Sequence, residues 1–205
     1  RAFYRCSSLR YIFIPDSVTT IRQSAFEHCS SLTGITIPDS VTTIGDGAFE
    51  GCRSLTSIDI PDSVTAIGKR AFEFCESMSN ITLPDSAATA DAKLFRCCRS
   101  LTSINVSPEH KTLTVVDGVL FDKAMKKLIC CPEGISTENY TIPQGVVEIG
   151  DFAFCGCRSL VSVFIPASVT TIGDYAFAWN KLLTSITIPD SVTTIGEYAF
   201  IGCES

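Results

Sequence analysis

The sequence predicts an open solenoid of stacked 23-residue coils, and three spacings carry that expectation. Prolines recur at Pro15, Pro38, Pro61 and Pro84, then at Pro143, Pro166 and Pro189, always 23 residues apart. Phenylalanines keep the step at Phe3, Phe26, Phe49, Phe72 and Phe95, then at Phe154, Phe177 and Phe200. Cysteines follow at Cys6, Cys29, Cys52, Cys75 and Cys98, then at Cys157 and Cys203, with Asn180 in the one vacant place. A fixed period of this length marks an architecture in which each unit buries its apolar face only against its neighbours.

The elements of one coil follow from the copy beginning at Leu55. In Leu55-x-x-Ile58-x-Ile60 the apolar residues come to alternate, the period-2 signature of a strand. Leu55, Ile58 and Ile60 are expected inside; Thr56, Ser57 and Asp59 are expected outside or at the rim. Pro61 ends the strand because it has no N–H for the ladder, and Asp62-Ser63 supplies turn chemistry. Val64-x-x-Ile67 places two more side chains inward on the opposite wall, and Gly68 is read as permitting the next bend. Asp46-Gly47-Ala48-Phe49 reads as a single helical or 3-10 turn with Asp46 near its cap. The coils are expected to wind as a right-handed superhelix, with a parallel sheet on the concave face and short strands and 3-10 or helical turns on the convex face.

Pro84 and Pro143 are 59 residues apart, 13 more than two periods. The surplus lies between Pro108 and Tyr140. There Thr112 to Phe121 reads as a strand, Asp122 to Met125 as a turn and Lys126 to Cys131 as a second strand, an inserted β-hairpin leaving the main stack. Both termini fall within a repeat. The chain is therefore expected to be one repeat domain over residues 1–205, part of a longer array, with an insert at about 108–140.

Composition narrows the function classes. Of 205 residues, 45% are hydrophobic and 19% charged, enough to bury a large core and too apolar for disorder. No apolar run is long enough for a membrane-spanning helix, so no membrane insertion is expected. The net charge is −6 and there is no Lys/Arg run, which speaks against nucleic acid as a partner. The 11 cysteines are read mainly as a column of small buried groups, because parallel Cβ vectors, one per coil, are poor disulfide geometry. Cys97, Cys130, Cys131 and Cys155 fall outside the column and have no zinc-site spacing. There is no Gly-x-Ser-x-Gly, His-Glu-x-x-His or phosphate-loop motif, and nothing marks His28 or His110 as a base. No catalytic, cofactor-binding or metal-ligating residue is expected.

The repeated pattern Leu-x-x-Ile-x-Ile-Pro-x-x-Val-x-x-Ile-Gly-x-x-Ala-Phe-x-x-Cys resembles the BspA-like, or Treponema pallidum-type, leucine-rich repeats. Ile35-Thr36-Ile37-Pro38 through Ala48-Phe49-Glu50-Gly51-Cys52 is one copy, and Ile186-Thr187-Ile188-Pro189 through Phe200-Ile201-Gly202-Cys203 is another. Asp117-Gly118-Val119-Leu120-Phe121 in the insert also looks like a known variant of that family. Departures occur at Ala87-Ala88-Thr89-Ala90, which weakens one Val-x-x-Ile wall, and at Trp179-Asn180, which replaces Gly-Cys. The resemblance implies a leucine-rich-repeat solenoid. It also implies a non-catalytic module, cell-surface or secreted, that binds a host or microbial surface protein.

Repeat solenoids of this kind bind through the strand-lined face. Register points to Tyr11, Phe13, Thr36, Asp59, Asn80, Thr82, Asn105, Phe164 and Thr187 as its outward, partner-binding positions. Phe13 and Phe164 occupy a slot held elsewhere by Thr36, Asp59 and Thr187. They are either partner anchors, or covers for the end of the stack (with Tyr11) and for the insert. Lys123, Lys126 and Lys127 make the insert basic, either to contact a partner or to shield the stack. The alternative to a binding module is a structural spacer within a longer repeat protein.

Overall fold

The computed structural model describes residues 1–88 and 90–204. It is a β-solenoid of 23-residue coils with two short parallel ladders per turn. One ladder uses the Thr-Ile segments after each Pro-Asp-Ser turn: β1 (Thr20–Ile21), β2 (Thr43–Ile44) and β3 (Ala66–Ile67) pair in register, Ile21 beside Ile44 beside Ile67. The other uses the segment before each proline. Thr36 bridges Asp59, and β4 (Asn80–Thr82) pairs with β5 (Ser103–Asn105). Each turn between the ladders is closed by a backbone bond from valine to proline, as from Val41 N–H to the Pro38 carbonyl at 3.0 Å.

Inside the stack, like residues lie on like. Phe3, Phe26, Phe49, Phe72 and Phe95 form a column with ring centroids 5.2, 5.4, 5.7 and 6.4 Å apart and nearly parallel planes. Phe154, Phe177 and Phe200 form a second, at 5.0 and 5.3 Å. Beside them runs the cysteine column, which is a hydrogen-bond ladder as well as a packing column. The thiols of Cys29, Cys52, Cys75 and Cys98 each point at the carbonyl of the phenylalanine 26 residues earlier, at 3.1 to 3.3 Å. Asn180 keeps this chemistry: fully buried, its Nδ2 donates to the Phe154 carbonyl at the same 26-residue offset and to the Phe177 carbonyl, both at 2.8 Å.

Two details of the coil differ from expectation. The segment around Asp46 is not a helical turn. Gly47, Phe49 and Gly51 donate to the carbonyls of Lys69, Ala71 and Glu73 in the next coil, while Ala48, Glu50 and Cys52 donate back three residues. This alternation is made by two left-handed residues per coil, here Gly47 (φ 57°) and Gly51 (φ 72°). Asp46 does cap a backbone N–H, but that of Lys69 in the next coil, at 2.8 Å. Asp151 and Asp174 repeat the contact. The 3-10 helix among the described residues is Ala92–Phe95, where Asp91 caps Lys93 N–H at 2.7 Å. Gly68, for its part, serves close approach more than bending: a Cβ there would lie 2.3 Å from the Asp46 nitrogen of the preceding coil.

The insert does not leave the stack. Its first stretch is two strands, β6 (Leu113–Val116) and β7 (Val119–Asp122), split by Asp117 (φ 50°) and Gly118 (φ 79°). Two successive left-handed residues between paired strands make the tight turn whose twist matches a hairpin. β8 (Lys127–Cys130) pairs antiparallel with β7 and parallel with β10 (Glu148–Ile149). The sheet continues through β12 (Thr171–Ile172) to β14 (Thr194–Ile195). On the other ladder, β9 (Asn139–Thr141), β11 (Ser162–Phe164) and β13 (Ser185–Thr187) pair in register. The reason is burial on both faces. Leu120, Ile129 and Cys130 join the apolar cluster of the N-terminal coils, while Val119, Phe121, Leu128 and Cys131 join that of the C-terminal coils. The meander is thus a septum between two cores, and a strand covered on both sides reads as a continuous apolar run. Ala87 is buried and Ala90 half-buried in the weakened wall, and Thr89 lies outside the described residues.

Two substitutions test the stacking. Gly68→Ala is expected to lower stability by about 2–3 kcal/mol through overpacking against backbone. Asn180→Ala is expected to cost about 2–3 kcal/mol by removing a buried donor that serves two carbonyls, whereas Asn180→Cys, which restores the ladder, stays within about 1 kcal/mol of the parent. Urea midpoints read both.

Candidate binding surfaces

The nine outward positions expected from register are all exposed and lie in the segments that precede the prolines, which pair in separate short ladders. Thr36 lies beside Asp59, Thr82 beside Asn105, and Phe164 between Thr141 and Thr187. Asn80 is two residues before Thr82, on the same side of β4. Tyr11 is 73% exposed and Phe13 83%. The two exposed phenylalanines differ in setting. Phe13 borders a hollow of about 380 Å³ at the open end of the first coil, together with Phe3, Val18 and Ile21. Phe164 stands in the middle strand of a three-stranded sheet and is 57% exposed, so it is not packed beneath the insert. Gly34, not marked by the periodic pattern, opens a notch between Tyr11 and Ser57: nothing lies within 4 Å of where its Cβ would be, and a shallow groove of about 310 Å³ runs there to Asp59.

The insert lysines are exposed but bound to neighbouring segments. Lys123 Nζ donates to the Pro108 carbonyl at 2.8 Å, Lys126 Nζ to the Gly145 carbonyl at 3.2 Å, and Lys127 pairs with Glu148. They tie the meander to its neighbours. His110 is equally committed: it is 1% exposed, and its Nδ1 accepts from the N–H groups of Thr112 and Leu113.

A second surface lies over the septum. In a regular coil the N–H of the second left-handed residue donates to a carbonyl of the next coil, as Phe74 does to Arg96 at 2.9 Å. For Cys97 (φ 62°) the next coil is displaced by the insert, and the Glu133 carboxylate takes the place of the missing carbonyl, its Oε1 accepting from Cys97 N–H at 2.5 Å. Around this side chain opens a groove of about 740 Å³, rimmed by Arg96, Arg99, Arg158 and Lys181 and walled by Phe74 and Trp179. Arg96 is anchored from below by Glu73, 1% exposed, and its guanidinium lies over the Phe152 ring at 5.5 Å. Sequence reasoning passed over this site. The signal available was the residue after each place in the cysteine column, which reads Ser7, Ser30, Arg53, Glu76 and Arg99, then Arg158, Lys181 (after Asn180) and Glu204.

Burial dominates the titration here. It pushes the Glu133 carboxyl up to about 7, against the pull of the Cys97 N–H and of Arg158, Arg99 and Arg96. Burial likewise raises the thiols of Cys97 to about 11 and Cys155 to about 12, so neither is a ready nucleophile despite the arginines nearby. No group of three or more metal-ligating side chains comes together among the described residues, and no helix is long and apolar enough to cross a membrane.

The model of the BspA-type leucine-rich repeat region matches residues 1–124 and 130–205 in six copies. The chain belongs to this family. The gap between the matched stretches falls at the β7–β8 connection. Among solved structures, a leucine-rich repeat protein from Eubacterium ventriosum is 27% identical over 95% of this chain and 58% of its own, with a TM-score of 0.83. A leucine-rich cell surface protein from Faecalibacterium prausnitzii is 30% identical over 99% and 67%, with a TM-score of 0.76. The pneumococcal vaccine antigen PcpA is 26% identical over 94% and 60%, with a TM-score of 0.77. The chain thus spans about six tenths of the length of these relatives. No curated protein matches it.

Glu133 makes this BspA-type fold pH-sensitive at one identifiable place. A carboxyl whose pKa is higher folded than unfolded holds its proton more tightly in the folded state. Its contribution to stability is complete below its unfolded value of 4.5 and is lost as pH rises through about 7. Glu133→Gln keeps an acceptor for Cys97 and removes the charge. The variant is expected to match the parent at pH 4 and to exceed it by roughly 2–3 kcal/mol at pH 8, read as the difference in urea midpoints.

Proposed function

We propose that the chain is a non-catalytic protein-binding module that presents its strand face to a protein partner, at a cell surface or after secretion. The observation that carries the reading is Phe164: a large apolar side chain, half open to solvent, in the centre of an otherwise polar ladder. Exposed aromatics flanked by polar groups are the usual anchors of protein interfaces. Tyr11, Phe13, Thr36, Asp59, Asn80, Thr82, Asn105 and Thr187 extend the same surface. The raised thiols of Cys97 and Cys155 and the committed His110 support a non-catalytic role. The cell-surface relative from Faecalibacterium and the vaccine antigen PcpA support the location. The partner class proposed is a host or microbial surface protein, as the family resemblance implies.

The structural spacer remains the second reading, favoured by one observation. Thr56, Thr102 and Thr184, at the edge of this face, donate their hydroxyls to the carbonyl 23 residues earlier, at 3.1 to 3.5 Å. Part of the polar surface therefore serves stacking.

A panel of purified host and microbial surface proteins, measured by biolayer interferometry, separates the two. A binder is expected whose affinity falls roughly ten- to thirtyfold in Phe164→Ala and in Asp59→Ala, with Lys123→Ala unchanged. Binding retained in the Phe164→Ala/Asp59→Ala double variant would remove this face, and a panel without a binder would favour the spacer.

A further inference from the structure

We propose that the groove over the septum is a binding site for a small acidic ligand, an oxyanion carried on a six-membered ring. The site is separate from the strand face, and the proposal does not rest on the protein-binding reading. Its volume, about 740 Å³, lies in the range of small-molecule sites.

Charge is the first argument. The chain carries a net charge of −6, yet four cations, Arg96, Arg99, Arg158 and Lys181, surround one carboxyl in the groove. In regular coils this column neutralises itself. Arg53 and Arg99 both pair with Glu76, at 3.5 and 3.6 Å, and Lys181 pairs with Glu204 at 3.3 Å. Arg158 stands between Lys181, one step on, and Ile135, one step back. Among the described residues it makes no salt bridge or hydrogen bond. A guanidinium fork left without an acid is the group best suited to take a carboxylate, sulfate or phosphate in two parallel bonds.

Glu133 fills that role only at a distance: Arg158 favours its charged form, but among the described residues the two make no salt bridge, and Glu133 Oε1 is held by the Cys97 N–H. Gly156 keeps the floor open on the other side: a Cβ there would come within 3.0 Å of the Glu133 carboxyl carbon. The aromatic walls are the second argument. The Trp179 indole is 42% exposed at one end, and Phe74 lies at the other. Faces of this kind stack on a planar ring or on the C–H face of a sugar. An acidic sugar and an aromatic acid share this chemistry.

Trp179 is the only tryptophan in the chain, so its fluorescence reports the groove directly. Titration of the full chain with glucuronate and with benzoate distinguishes the two sources, with glucose as the neutral ring and inorganic sulfate as the ringless anion. A saturable change is expected with at least one acid, at least tenfold weaker with glucose and with sulfate. Arg158→Gln is expected to weaken it at least tenfold at unchanged circular dichroism, Glu133→Gln to tighten it at pH 8, and Lys123→Gln to leave it alone. The proposal is overturned if neither acid saturates by about 50 mM. It is equally overturned if glucose or sulfate binds as well as the acids, or if Arg158→Gln binds like the parent.

Discussion

A 23-residue coil with almost no helix cannot satisfy its own backbone, and the need to find hydrogen-bond partners one step along the stack governs the rest of the molecule. The partners are supplied at fixed offsets. Backbone ladders link like residues 23 apart; the serine of each Pro-Asp-Ser turn donates to a valine carbonyl 22 residues back, as Ser63 does to Val41 at 2.8 Å; column thiols reach 26 residues back. Because buried polar groups left unpaired are costly, each offset restricts what may occupy its slot. Asn180 shows the restriction at work, since it differs from cysteine in size and polarity but keeps a donor aimed at the same carbonyl.

The insert obeys the same requirement at the one place where the period fails. β8 presents Leu128 to Ile149, so the ladder of the C-terminal coils starts against a strand of the insert. Cys131 takes the slot of a phenylalanine, its N–H donating to Ala153 as Phe154 donates to Ala176, and the Cys157 thiol sits over the Cys131 carbonyl. The volume lost by having a small residue there is made up by Tyr140, whose ring packs on Phe154 at 5.7 Å. The Cys97 N–H, whose next coil is displaced, donates to no carbonyl there, and the Glu133 side chain supplies the substitute. The basic groove is the surface consequence: where the coils lose step, the alternation of arginine and glutamate along the column loses step with them.

Two faces of the solenoid therefore have different characters. The strand face is regular, polar and broad, interrupted by Phe164 and by the notch at Gly34, and suits a large flat partner. The groove is local, concave and cationic, and suits a small one. Thiols are plentiful near the second but sequestered, because burial raises them above the range in which a thiolate forms readily.

What the sequence determined alone is the spacing and the side-chain register of the repeat. The 23-residue step, the phenylalanine and cysteine columns, the two strand ladders and the outward register of Thr36, Asp59, Thr82 and Phe164 were legible. Identical coils in identical surroundings turn spacing directly into position. The hydrogen-bonding role of the cysteines was not legible, because a thiol that fills space and a thiol that donates look the same until a carbonyl is placed before it. Nor was the septum. Asp117-Gly118 marks a hairpin turn, but whether the meander projects or is swallowed depends on both cores closing on Val119, Leu120 and Phe121. The groove was decided only in three dimensions, since Arg99, Glu133, Arg158 and Trp179 belong to different coils and meet because one coil is out of step.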